Sequence, residues 1–228
     1  MLKTERMDRV RAALRAQGLT QMIVCDPKSV WYLTGVAVEP YERLLALYLP
    51  TEGEPVLFLN RLFNVPEPPC RTVWHTDTDK PVAQIAEVVD AGRPLGIDKE
   101  WPAKFLIPLM EAHPGMQVVL SSDCVDDCRA CKDAEEQTLM REASRINDAV
   151  NEAAKHYIKA GMTEREVAEF IDAQFRAHGC EGPSFTTIVS FGANAADPHH
   201  EPDDTVLKEG DCVLFDICLL YTSDAADD

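Results

Sequence analysis

An α/β fold is predicted for roughly the first 125 residues, followed by a part of α+β character, on three observations. Short apolar runs alternate with segments of helical spacing as far as residue 121. A polar, cysteine-bearing stretch then occupies 121–132. Beyond it lies a long helical pattern, then a second helix and two apolar strands separated by a polar loop.

Each element has a local reason. Residues 4–17 place Met7, Val10 and Leu14 on one face, a helical spacing, and Gly18 suits the position just past the helix end. Residues 21–25 (QMIVC) read as a buried strand ended by the turn pair Asp26-Pro27. LLALYLP (44–50) and PVLFLN (55–60) flank Thr51-Glu52-Gly53-Glu54, the pattern of a hairpin. Helices are expected over 80–91 and 101–112, and strands over 94–98 and 116–121. From 133 to about 160 Leu139, Ala143, Ile146, Val150 and Ala154 recur every three or four positions, so one face packs inward. Gly161 stops that helix. Thr163 and Glu166 have capping-box spacing and open a second helix to about His178. Strands over 184–191 and 212–217 enclose a loop, 192–205. A domain boundary falls near 125–130.

The chain's 228 residues carry 39 acidic and 22 basic side chains, a formal charge of −17. Binding to nucleic acid or an anionic membrane surface needs a basic face, so neither partner is expected. No run approaches the roughly 18 apolar residues of a membrane span. The charged N-terminus lacks the apolar stretch of a signal peptide, which points to the cytoplasm. The eight cysteines are then expected to be unpaired thiols. Cys124, Cys128 and Cys131 have the spacing of an iron–sulfur cluster motif, against the plainer reading of reduced thiols in an interdomain linker.

The chemistry concentrates in 192–217. His199 and His200 lie between Pro198 and Pro202 in the loop, and Asp216 sits near the end of the last strand. A carboxylate among apolar neighbours costs free energy unless a cation or hydrogen-bond donors compensate it. A hard divalent ion is one such compensator. A solvent-facing or turn-capping Asp is the other reading.

Asn194, Pro198-His199-His200-x-Pro202, Leu207-Lys208-x-Gly210-Asp211 and Val213-Leu214-Phe215-Asp216 together resemble the creatinase/aminopeptidase P/prolidase family of pita-bread metallopeptidases. Arg129-x-x-Lys132-x-x-x-Glu136, Met140-Arg141 and Gly161-Met162-Thr163-Glu164 are similar to the entry of its catalytic domain. Met7-x-x-Val10-Arg11, Gly18-Leu19, Asp26-Pro27 and Tyr32-Leu33-Thr34-Gly35 are similar to its N-terminal domain, above all in bacterial Xaa-Pro dipeptidases. The resemblance implies a creatinase-like N-terminal α/β domain, 1–125, and an incomplete pita-bread domain, 126–217. It also implies metal-assisted hydrolysis of Xaa-Pro bonds in a proline-containing di- or oligopeptide, by a homodimer. Two divalent ions, Mn²⁺ first and Co²⁺ or Zn²⁺ as alternatives, would be held by two Asp, one His and two Glu. Asp216 matches the first Asp. His199, seventeen residues earlier, matches a histidine that contacts substrate and not metal. His200 receives no role. The N-terminal domain would gate substrate, with Trp31, Tyr32 and Tyr41 either lining that entrance or serving as ordinary core and surface aromatics. An alternative within the same fold is a metal-free protein, either a creatinase-like hydrolase of a small substrate or a binding module.

The sequence departs from the family after Ile217. Cys218 stands where the family has Gly, and Asp224 follows Asp216 by eight residues where the second ligand needs about eleven. Residues 218–228 read instead as the translation of a transposase adapter used in DNA library preparation, a non-native tail. On that reading the remaining ligands are missing and the chain has no peptidase activity.

Overall fold

In the computed structural model, residues 2–180 and 182–219 are described, in two compact units that divide between Cys131 and Lys132. In the first unit, β1 (Gln21–Val24) lies at the middle of a six-stranded mixed sheet. Its four residues are buried; Met22, Ile23 and Val24 form an apolar run, and the buried Gln21 is satisfied by donating to the Asp90 carbonyl and accepting from the Asp90 N–H. The hairpin of β2 (Ala46–Pro50) and β3 (Val56–Asn60) pairs antiparallel, with Leu47 opposite Leu57, and β2 also pairs antiparallel with β1. β4 (Arg71–His75), β5 (Leu95–Ile97) and β6 (Val118–Leu120) add in parallel, giving the order β4-β3-β2-β1-β5-β6.

Strand alternation sends successive residues to opposite faces, so the sheet has two cores. Met22, Val24, Leu47 and Leu57 pack with Met7, Val10 and Leu14 of α1 (Thr4–Ala16), and with Val30 and Leu33 of α2 (Pro27–Thr34). Ile23, Ala46 and Phe58 face α3 (Pro81–Ala86) and α4 (Ala103–Ala112), which supply Ile85 and Leu109.

The helix expected over 80–91 ends at Ala86, and three other segments differ in kind from the sequence reading. Residues 27–34, given no element, form α2 because Asp26 caps the helix by accepting from the Ser29 N–H at 2.8 Å and Pro27 takes a first-turn position. β4 was likewise not expected; its half-exposed residues lack a clean alternation. The stretch read as a linker is α5 (Asp123–Ala130), whose Cys124 and Val125 are buried in the first core.

The second unit opens with α6 (Ala134–Tyr157) and α7 (Glu164–Ala177), each started by a capping box, Asp133 with Glu136 and Thr163 with Glu166. α6 contributes Ala143, Val150 and Ala154 to a core with Val167, Ile171 and Phe175 of α7. Val189 and Phe191 of β7 (Ile188–Phe191) complete it, and β7 pairs antiparallel with β8 (Val213–Asp216). The expected strand 184–191 is therefore shorter at its start. A single 3₁₀ turn, Gly192–Ala196, follows β7. The Gly192 φ of 54° is left-handed, and a Cβ there would stand 3.2 Å from the Asp211 carboxylate, so glycine fits this corner on both counts. Among the described residues no helix is long and apolar enough to cross a membrane.

Candidate functional site

Loop 192–205 is held against the first turn of α7. Leu207 donates to the Met162 carbonyl at 2.8 Å, Gly161 donates to the Leu207 carbonyl at 2.9 Å, and Thr163 bridges Val206. At the centre stands Glu164, the first residue of α7, wholly inaccessible to solvent. Its Oε1 accepts from the Phe191 N–H at 2.7 Å and from Asn194 Nδ2 at 3.1 Å. Its Oε2 accepts from His200 Nε2 at 2.7 Å and from the Asp203 N–H at 3.1 Å. Two donors on each oxygen satisfy a carboxylate whose burial alone would be prohibitive, and the helix N-terminus favours a negative charge there.

These contacts set the protonation of their partners. Hydrogen bonding to Glu164 first, and then the negative charges of Glu164, Asp203 and Asp197, raise the His200 pKa above its ordinary 6.5. Asp203 lies below the usual carboxylate range because the Thr205 hydroxyl and N–H bond its charged form. One ligand atom from each of Glu164, His200 and Asp203 lies within 4.8 Å of the others, the one such trio of metal-ligand side chains among the described residues. The donor chemistry opposes a cation there: all four sites on Glu164 face N–H groups, which would have to turn away. The cluster is a closed hydrogen-bonded knot.

The residues singled out from sequence fall elsewhere. His199 is exposed, its backbone N–H donating to Asp197 at 3.0 Å. Asp216 is exposed at the end of β8, opposite Ile188 in register. Among the described residues Asp216 joins no trio of ligand side chains, so by itself it fits one ligand of a hard divalent ion and not a complete site. Asp224 lies outside the described residues, as does the tail from 220 onward. Cys218 and Leu219 are described: Leu219 is buried in the core of the second unit and bridges Pro183.

Burial bears on two other expectations. Tyr32 belongs to the first core, its hydroxyl accepting from Arg9 at 2.6 Å and donating to the Cys128 carbonyl at 3.1 Å; Tyr41 is 79% exposed. Cys124 is buried and its thiol pKa is raised to about 11, chiefly by that burial, while Cys131 is exposed. The three cysteines do not converge on one point, so the iron–sulfur reading has no support in the structure.

Sequence reasoning passed over Glu164 except as part of a motif, although a signal was present. Residues 164, 167, 171 and 175 share one helical stripe, so Glu164 heads the apolar row Val167, Ile171, Phe175. A carboxylate on an apolar stripe calls for donors from elsewhere in the chain.

The fold and this arrangement meet two family patterns. The creatinase/prolidase N-terminal domain matches residues 6–131, more than half of the chain, and metallopeptidase family M24 matches residues 138–227. The chain belongs to this family of metallopeptidases, with the creatinase-type domain first and an incomplete pita-bread domain after it. An uncharacterized peptidase of Staphylococcus aureus is 32% identical over 209 residues, which are 87% of this chain and 57% of that protein. Dipeptidase PepE of Mycobacterium ulcerans matches with a TM-score of 0.83 and 30% identity, over 94% of this chain and 59% of that one. A prolidase of Thermococcus sibiricus matches with a TM-score of 0.86 and 27% identity, over 97% of this chain and 63% of that one. The chain thus spans about three fifths of the length of these relatives.

Proposed function

We propose that the protein hydrolyses peptide bonds preceding proline with the help of divalent metal ions, Mn²⁺ in the first instance. One observation carries the reading. The two family patterns stand in order in one chain, and the M24 segment presents Asp216 as an exposed carboxylate at the end of an otherwise apolar strand. In this reading Asp216 is a ligand of the metal pair, whose ions, when bound, polarise the scissile carbonyl. His199 contacts the substrate from the neighbouring loop, and its exposure leaves the ring available. The substrate is a proline-containing di- or oligopeptide, and the working form is a cytoplasmic homodimer.

The residues described supply one ligand of a pair of cations, so the 228-residue chain is expected not to turn over an Xaa-Pro dipeptide, with or without added Mn²⁺. Measurable cleavage by the purified chain would contradict that expectation. Titrating Mn²⁺ into the product of the resequenced gene tests the reading itself, with heat of binding and dipeptide hydrolysis both expected. A product that takes up no divalent ion sinks it and favours the metal-free alternative, a creatinase-like hydrolase of a small substrate or a binding module. The one fact on that side is that Asp216 joins no ligand trio among the described residues.

A further inference from the structure

We propose that Glu164 is the positioning residue of the loop that carries His199, acting through His200 as its cationic partner. For the role of His199 this rests on the reading above; the latch itself stands on geometry. The two oxygens of one buried carboxylate collect the Phe191 N–H at the end of β7, the Asn194 amide in the 3₁₀ turn, the His200 ring and the Asp203 N–H. Those four donors span residues 191 to 203, so a single side chain fixes both ends of the segment and the residue next to His199.

The charge arrangement explains why a histidine faces Glu164. Glu164 has no accessible surface, and the other titratable groups facing His200 are the acids Asp203 and Asp197. His200 is therefore the cation that balances the buried charge, and its side chain is only 15% exposed. Asn194 adds a second tie by donating to Thr205 Oγ1 at 3.1 Å, closing the loop on itself. The neighbouring His199 ring stays exposed while its backbone is held on both sides, the arrangement a substrate-contacting group needs to present one orientation without being occupied by the protein.

The test reads the latch directly on the 228-residue chain. The six histidine rings are followed by NMR against pH and assigned with single His→Gln variants. His200 is expected to titrate above 6.5, with the amides of Phe191 and Asp203 shifting at the same midpoint. In Glu164→Gln the His200 midpoint is expected to fall to the ordinary value or below, because the neutral amide turns an N–H toward the donors. Amide exchange at Phe191 and Asp203 should rise about tenfold or more, the scale of losing a charge-assisted hydrogen bond. A role confined to stability would leave the shared midpoint unexplained. An unshifted His200, or loop amides indifferent to its titration, overturns the proposal; both are read on the unsubstituted chain even if the variant fails to fold. Failure of the metal reading registers separately, in the Mn²⁺ titration of the resequenced gene product, and leaves the His200 midpoint of the 228-residue chain where the latch puts it.

Discussion

A carboxylate without solvent must be paid for by its neighbours, and Glu164 shows the exchange at the level of single atoms. The sign of its pH dependence follows from His200, whose native pKa is raised above 6.5. A group raised on folding stabilises fully below its unfolded value and ceases to as pH rises through its native value. Denaturant midpoints for the second unit are therefore expected to fall as pH climbs above 6.5, and in His200→Gln that slope should flatten; an identical slope would remove the ion pair from the account. The thiols give a second residue-scale expectation. Cys25 is buried and its Sγ–H donates to Asp98 at 2.8 Å, with burial foremost pushing its pKa far upward, while Cys131 and Cys212 are exposed. Iodoacetamide should modify Cys131 and Cys212 in the native chain, and Cys25 and Cys124 only after unfolding, as mass spectrometry of the peptides would reveal.

At the scale of elements, the helix starts carry the argument. Thr163 Oγ1 accepts from the Glu166 N–H at 3.2 Å and Glu166 Oε2 accepts from the Thr163 N–H at 2.8 Å, so one pair of side chains closes the first turn of α7. Replacing Thr163 by Ala should cost about 1 kcal/mol, seen as a lower urea midpoint with an unchanged slope. Glu166 is held below its ordinary 4.5 by the Thr163 N–H and then the Thr163 hydroxyl on its carboxylate, so the support it gives is present above about pH 4.5 and fades as pH falls through the lowered value. Both capping boxes have the required residue types at the required spacing, and the Thr163 box was readable directly. The start of β7 was not: SFTTIVSF is uniformly strand-like, and where pairing begins depends on the partner, with Ile188 the first residue opposite β8. α2 was missed for the opposite reason, since Val30, Trp31 and Tyr32 favour strands while the Asp26 cap and Pro27 favour a helix.

Over the whole molecule, a charge of −17 opposes phosphate backbones, so no retention on heparin or duplex DNA is expected at physiological ionic strength; retention that falls with salt would contradict this. Resequencing decides whether residues 218–228 belong to the gene: adapter-free DNA with a stop codon after Asp228 would make them native, and Leu219 is in either case packed in the core of its unit.

Composition, periodicity and motif order by themselves determined the α/β class, the elements with strong apolar periodicity and the residue types offered to chemistry, because burial of apolar surface depends on pattern more than on partner. Only the tertiary structure decided that Glu164 stands at the centre of loop 192–205, with the His200 ring against it. Donors 27, 30, 36 and 39 residues away meet on one carboxylate. No local spacing encodes such a convergence, since it exists only once the chain has closed on itself.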